Sequence, residues 1–311
     1  MSVSITSTYA GEFSGKYIAA ALLSADTLDK GLITIMPNVK FKSVIKKAST
    51  DDIVKDATCD FQTGQGTLTL TEKILQPEEF QVNLDICKKD LHSDWEAAQM
   101  GYSAFDNLPA NFSDFVLAHV AAKVADRTER NIWSGDSGDS GQFDGFAIKL
   151  DTDADLPAGQ DLTGAAITSA NVVSELGNVV DAIPTAVYGS DDLLIYAASD
   201  VIRAYTRSLG GFQSGGQGAA GYENKGNNQV LGNLFFDGIP VVPARGAADG
   251  TIIAAEKSNL FFGTGLLNDM NEVRVIDMAE TDGSQNVRVV MRFTAGVQYA
   301  QVSDIVYRKT V

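Results

Sequence analysis

The sequence predicts an α+β protein in which one long helix is laid across a sheet. Residues 111–134 (NFSDFVLAHVAAKVADRTERNIWS) carry apolar side chains at three- and four-residue steps. Phe112, Phe115, Val116, Val120 and Val124 therefore share one face of a helix, and Leu117, Ala121 and Ala125 widen it. Many other stretches instead alternate apolar and polar residues, the period of a half-buried strand. Turn signals rich in Gly, Pro and Asp separate them.

The helix runs for about six turns, or ~35 Å at ~1.5 Å per residue. Asn111 or Ser113 suits its N-cap, Asp114 suits the positive end of its dipole, and Gly135 ends it. Ahead of it, residues 1–35 read as an extended arm followed by a short helix. Residues 33–45 (ITIMPNVKFKSVI) are strand-like, with Pro37 as an interruption. Residues 67–71 and 80–86 alternate cleanly, and Gln76-Pro77-Glu78-Glu79 between them predicts a hairpin. A lone hairpin is marginal in water. This one must pack on its own sheet or on another subunit.

After the helix, residues 135–145 form a turn-rich loop, and residues 151–164 are acidic and loop-like. A second helix is expected over 170–183, ending before Pro184. A buried strand follows at 193–197 (LLIYA), then a third helix capped by Ser199 or Asp200, with Val201, Ile202, Tyr205 and Leu209 inward. Residues 210–232 are a long glycine-rich loop. Leu234-Phe235-Phe236 and Ile239-Pro240-Val241-Val242 flank Asp237-Gly238, a strong tight-hairpin signal. Further strands are expected at 251–255, 272–278, 286–293 and 303–308. In the third of these Val287, Val289, Met291 and Phe293 face one way and Arg288, Val290 and Arg292 the other, with a bend at Gly296.

The 311 residues carry a net charge of −16, with 44% hydrophobic residues. That composition supports a folded core, two lobes, and no binding of nucleic acid through bulk charge. The charge is uneven. From Asp136 to Asp200 there are twelve acidic residues and one Lys, Lys149, while Lys40, Lys42, Lys46 and Lys47 cluster near the start. Such a lysine run reads as a solvated strand face. Cys59 and Cys87 give no disulfide framework and read as reduced thiols. No stretch reaches the ~20 apolar residues of a membrane helix. The apolar run at 17–25 is too short, and its flank too poorly basic, for a signal peptide.

Catalytic signatures fail on inspection. Gly135-Asp136-Ser137-Gly138 has the letters of a serine-protease nucleophile, but neither His92 nor His119 sits in a supporting motif. Asp151, Asp153 and Asp155 match the first half of a calcium loop and are weak metal candidates. Leu156 and Leu162 occupy the positions that need Gly and Glu. The glycine-rich loop lacks the ending of a phosphate loop. No catalytic or cofactor-binding residue is assigned, and the chain reads as a structural or binding protein rather than an enzyme. A soluble calcium- or ligand-binding protein using the Asp-rich lobe is the reading from another class.

The order of parts resembles one family. The helix at 111–134, the hairpin at 234–242 (LFFDGIPVV), the stretch 251–263 (TIIAAEKSNLFFG) and the stretch 286–301 (NVRVVMRFTAGVQYAQ) together resemble the major capsid protein of tailed bacteriophages, the Hong Kong 97 fold. Encapsulin shell proteins share that fold and are its close rivals. The resemblance implies an N-arm at 1–38 and an extended E-loop hairpin at 39–89 lying on the adjacent subunit. It implies a peripheral domain at 90–150 and 266–301 with the spine helix, whose core residues would be Phe112, Phe115, Val116, Val120 and Val124. An axial domain would span 151–265 and 302–311. Leu68, Leu70, Lys73, Ile74, Phe80 and Val82 would be inter-subunit contacts. The expected partners are copies of the chain in pentamers and hexamers, with scaffold, portal and cement proteins, around DNA bound without sequence specificity. The expected place is the virion capsid, assembled in the host bacterial cytoplasm, with no membrane. Met1 leads almost directly into the arm, which implies a separate scaffold or none. Lys73 lies in the hairpin, but no residue is marked as a crosslinking partner.

Overall fold

A chain with a long amphipathic helix and many alternating segments must give each strand an apolar face to bury. The computed structural model describes residues 26–39, 41–50, 59, 68–87, 110–209, 234–265, 274–279 and 283–310. In chain order the elements are α1 (Asp26–Asp29), β1 (Thr34–Met36), β2 (Ser43–Thr50), β3 (Leu68–Leu75), β4 (Glu78–Cys87), α2 (Ala110–Ser134), α3 (Phe146–Thr152), β5 (Asp161–Gly164), α4 (Val172–Asp181), β6 (Leu193–Ala197), α5 (Ser199–Ser208), β7 (Leu234–Phe236), β8 (Ile239–Pro243), β9 (Ile252–Glu256), β10 (Leu260–Gly263), β11 (Arg274–Asp277), β12 (Asn286–Tyr299) and β13 (Val306–Thr310).

The first sheet is built on β12. Its N-terminal part pairs with β11 on one edge. On the other edge it pairs antiparallel with β4 from Asn286↔Cys87 to Ala295↔Glu78. Its C-terminal part pairs with β10, which carries β1 in parallel. Val287, Val289 and Met291 are buried while Arg288 and Arg292 are exposed, as the alternation requires. Helix α2 covers the buried face. Val120 and Val124 pack with Ile86, Val289 and Met291, flanked by Val82, Leu84 and Phe293. The expected layering of helix on sheet therefore holds at Val120 and Val124. The side chains of Phe112, Phe115 and Val116 lie outside the described residues, as do the start of the arm and the loop 210–232.

The second sheet has the order β5-β13-β9-β6-β8-β7. Both of its faces are covered, so β9 reads as a continuous apolar run rather than an alternation. Ile252 and Ala254 face a core with Ile195, Val201, Ile202 and Tyr205, which includes α4 through Leu176 and Val179. Ile253, Ala255, Tyr196 and Tyr307 face a second core that includes Ile132, Trp133 and Phe146. The end of the long helix is thereby locked into the second sheet. Gly246 lies so close to the helix that a Cβ there would stand 2.1 Å from the Glu129 carbonyl oxygen.

Several expectations needed correction. The predicted hairpin of 67–71 with 80–86 does not form. Instead β3 pairs with β2, and β4 pairs with β12. Residues 76–77 carry the chain from one ladder to the other. The physical reason is that β4 finds a longer partner with an apolar face already under the helix. Pro37 does split its segment, into β1 and β2. Residues 151–164 are not all loop, since α3 ends at Thr152 and β5 occupies Asp161–Gly164. Strand β13 starts at Val306 rather than 303, after a 3₁₀ turn at Val302–Asp304. Helix α5 has Ala198 at its N-cap, with no side-chain cap bond. The Asp237-Gly238 hairpin forms as read, with φ of 47° and 81°.

Glu129 joins the N-terminal segment to the long helix. It is fully buried and accepts from the Thr27 amide at 3.2 Å, the Thr27 hydroxyl at 2.5 Å and Trp133 Nε1 at 3.2 Å. Burial pushes its pKa above the ordinary value, against the lowering effect of the bonds from Thr27 and Trp133. A carboxyl raised in the folded state favours folding at low pH, and that benefit fades as pH rises from 4.5 through its folded pKa. Replacing Glu129 with Ala leaves buried donors short of an acceptor and should cost about 1–3 kcal/mol in urea unfolding. The wild type should also lose stability above pH 4.5 relative to Glu129→Gln. A parallel pH profile for the two proteins would contradict this.

Candidate functional site

The candidate site is the hairpin β2–β3 and its root. Its register runs from Ser43↔Leu75 to Thr50↔Leu68. Opposed residues share a face, so Val44, Ile74, Lys46 and Glu72 lie on one side and Ser43, Leu75, Ile45 and Lys73 on the other. The two sides meet different surroundings. Leu75 is fully buried, whereas Val44 and Ile74 are 46% and 44% exposed and Phe41, just before β2, is 70% exposed.

The root is fixed by shape first. Gly263 and Gly296 stand opposite each other in the β10–β12 ladder. A Cβ at Gly263 would meet Leu75 Cδ2 at 2.7 Å, and one at Gly296 would meet Pro77 Cα at 2.9 Å. The two glycines form a notch that holds Leu75 and Pro77, which explains both residues better than a bend does. Gln298 Nε2 also donates to the Ile74 carbonyl at 2.9 Å.

Charge then closes the root. Lys73 Nζ lies 2.5 Å from Asp153 Oδ2 and 5.5 Å from the Tyr299 ring centroid. The Tyr299 hydroxyl donates to Asp153 Oδ2 at 2.7 Å. Burial would raise the pKa of Asp153, but the bonds from Lys73 and Tyr299 outweigh it and hold the carboxyl below its ordinary value. Burial lowers the pKa of the neighbouring Lys149 despite Asp144 and Glu78, and Lys73 adds to the lowering. Burial and then Asp153 push the Tyr299 phenol up, so it stays a donor.

Of the three aspartates considered as metal ligands, Asp151 and Asp153 have their carboxylates engaged in structure. Asp151 pairs with Lys309, Asp153 holds Lys73 and Tyr299, and the Asp155 amide donates to Asp153 Oδ1 at 3.0 Å. Among the described residues no group of His, Cys, Asp or Glu has the arrangement of a metal site. No helix among them is long and apolar enough to cross a membrane.

Of the six side chains expected at a neighbour contact, Ile74 is exposed and Lys73 is tied into the root. Phe80 and Val82 instead pack within their own chain. Phe80 stacks with Phe143 and Phe293 at 6.0 and 5.6 Å, and Val82 packs on the α2–β12 core. The side chains of Leu68 and Leu70 lie outside the described residues. Phe41 and Val44 are further exposed apolar residues that the sequence reading does not single out, because Val44 shares its strand face with Lys46 and gives no clean alternation. Between α2 and β4 a groove of about 460 Å³ is lined by Phe80, Val82, Leu84, Val120, Val124 and Phe293.

No protein-family model matches the sequence, and no curated protein matches it significantly. Solved structures do. The capsid of a native GTA particle aligns with 98% of this chain and 96% of its own, at a TM-score of 0.61 and 14% identity. The capsid of Myoviridae phage XM1 aligns over 97% of each chain, at 0.61 and 9% identity. The capsid of cyanophage P-SCSP1u aligns over 98% and 93%, at 0.57 and 12%.

The chain has a phage-capsid fold. The likeness extends over nearly the whole chain rather than over one lobe. At this identity the shared property is the backbone architecture, and the residues that stabilise the hairpin root are described for this chain alone.

Replacing Asp153 with Ala should free the hairpin root. Limited proteolysis between β2 and β3 should speed up several-fold, with at most about 1–3 kcal/mol lost from global stability. The contribution of Asp153 is present above its unfolded pKa near 3.8 and is lost as pH falls through its lower folded pKa. Acid should therefore raise cleavage in the wild type but not in Asp153→Ala. Equal cleavage of both proteins at neutral pH would contradict the clamp.

Proposed function

We propose that this chain is the major capsid protein of a tailed phage, of the Hong Kong 97 type. It assembles with copies of itself into pentamers and hexamers of an icosahedral shell that encloses double-stranded DNA. The observation that carries the reading is the alignment with capsid chains over 97–98% of this chain and 93–97% of theirs.

The parts take roles under this reading. Residues 1–38 are the N-arm. Of the proposed E-loop, residues 39–89, the hairpin β2–β3 reaches the neighbour while β4 stays in its own sheet. Helix α2 is the spine of the peripheral domain, and the six-stranded sheet with α4 and α5 forms the axial domain. Strand β10, although within 151–265, belongs to the peripheral sheet through its pairing with β12. Phe41, Val44 and Ile74 are the contact residues, because a folded monomer leaves them in water and closed assembly buries them. The net charge of −16 keeps the wall from adhering to packaged DNA. The protein works without catalysis, in the virion capsid after assembly in the host cytoplasm, with scaffold, portal and cement proteins as further partners.

Electron microscopy and sedimentation of the purified protein test this directly. Closed shells, or rings of five and six, are the expected result. Phe41→Asp with Ile74→Asp should reduce assembled material at least tenfold while leaving the melting temperature within a few degrees. A uniform monomer that stays unassembled with a crowding agent and its scaffold would overturn the reading. Shells loaded with a protein cargo instead of DNA would turn it toward an encapsulin-type compartment.

A further inference from the structure

The groove between α2 and β4 has an apolar floor and a cationic lip. The floor is made by Phe80, Val82 and Leu84 of β4, by Phe293 opposite Phe80 in the ladder, and by Val120 and Val124 of the helix. On the helix, His119, Lys123 and Arg127 follow one another at four-residue steps. They therefore stand in one row along α2, beside the row of Val120 and Val124. Lys123 and Arg127 are exposed. Lys123 enters no ion pair among the described residues, and Arg127 donates to the Ser140 carbonyl at 3.5 Å. No acidic residue lines the groove, although the chain carries a net charge of −16.

Asn131 supplies a second, independent observation. It lies one helical turn beyond Arg127, lines the groove and is 4% exposed. Its Nδ2 donates to the Gly141 carbonyl at 3.2 Å, but its Oδ1 is buried with no hydrogen-bond partner. Leaving a buried acceptor unpaired is costly, so such an oxygen marks a place where a donor belongs. Residues four apart on a helix are about 5–6 Å apart at Cβ, so the acceptor and the nearest cation lie within the span of one small molecule. The volume of about 460 Å³ agrees, since small-molecule sites run to about 300–1,000 Å³ and combine apolar walls with a few placed polar groups.

We propose that this groove binds a small amphipathic anion. The apolar body of the ligand lies on the floor, its carboxylate or sulfonate meets Lys123 and Arg127, and an N–H or O–H of the ligand donates to Asn131 Oδ1. Size argues for a single small molecule over a protein partner, because a stable protein interface covers about 800 Å² on each side and this groove is far smaller. A bound ligand touches both α2 and β4, so it holds the helix to the sheet and stabilises the folded chain. The site is built within one chain and stands apart from the shell reading.

Anilinonaphthalene sulfonate is a suitable probe, since it carries an aromatic body, one sulfonate and one N–H. Titrated into the full-length protein, it should bind one saturable site per chain and raise the melting temperature. Lys123→Glu with Arg127→Glu should weaken binding at least tenfold. The melting temperature of that variant without probe should stay within a few degrees of the unaltered protein, because both side chains are exposed. Two further measurements need no variant. The N-methylated probe has no donor for Asn131 and should bind at least fivefold more weakly. An aryl azide derivative, irradiated while bound, should label peptides that contain residues 80–84 and 119–131. Labelling confined to other peptides, such as those with the exposed Phe41 and Ile74, would overturn the proposal. So would undiminished binding by the charge-reversed variant, or equal affinity for the two probes. Where particles form, loss of the site on assembly would place a second copy in the groove and also overturn it. Failure to assemble at all bears on the shell reading alone.

Discussion

The β4–β12 ladder is the constraint on which the rest of the molecule depends. It joins segments about 200 residues apart in sequence and buries one face under helix α2. Closing so long a loop costs chain entropy, though the cost grows only slowly with length. The burial of Val82, Leu84, Ile86, Val289 and Met291 offsets it. Once β4 is committed to β12, β3 has lost its sequence neighbour as a partner and pairs with β2. The hairpin thus exists as a projecting element because its expected partner is used elsewhere.

The same strand positions everything else. Its C-terminal part brings Gly296 opposite Gly263 and creates the notch that seats Leu75 and Pro77. Tyr299, at its end, orients Asp153 toward Lys73. Its outward residues, Arg288 and Arg292, are exposed. One strand therefore holds the root of the projecting hairpin and presents an exposed face on the first sheet.

Much of this was legible from sequence where local periodicity decides the outcome. The long helix was placed within one residue at its start, the strand at 193–197 was read with its true bounds, and Asp237-Gly238 marked its turn. The outward alternation of Arg288 and Arg292 was also read correctly. What failed was pairing. Two alternating segments joined by Pro77 look like a hairpin, and nothing local says that a strand far along the chain competes for one of them. The root clamp was hidden for the same reason, since Lys73, Asp153 and Tyr299 come from three distant elements. The aspartates at 151, 153 and 155 looked like a half-formed metal loop because composition cannot show that Lys309 is the partner of Asp151 and Lys73 that of Asp153.

The central claim is that the hairpin is anchored by its own body and completed by another copy. Amide hydrogen exchange on separated subunits and on assembled particles tests it most directly. The β4–β12 ladder should be strongly protected in both. The β2–β3 segment around Val44 and Ile74 should exchange at least tenfold more slowly after assembly. Equal exchange of β2–β3 in the two states would contradict the account, because the exposed apolar face would then have gained no cover.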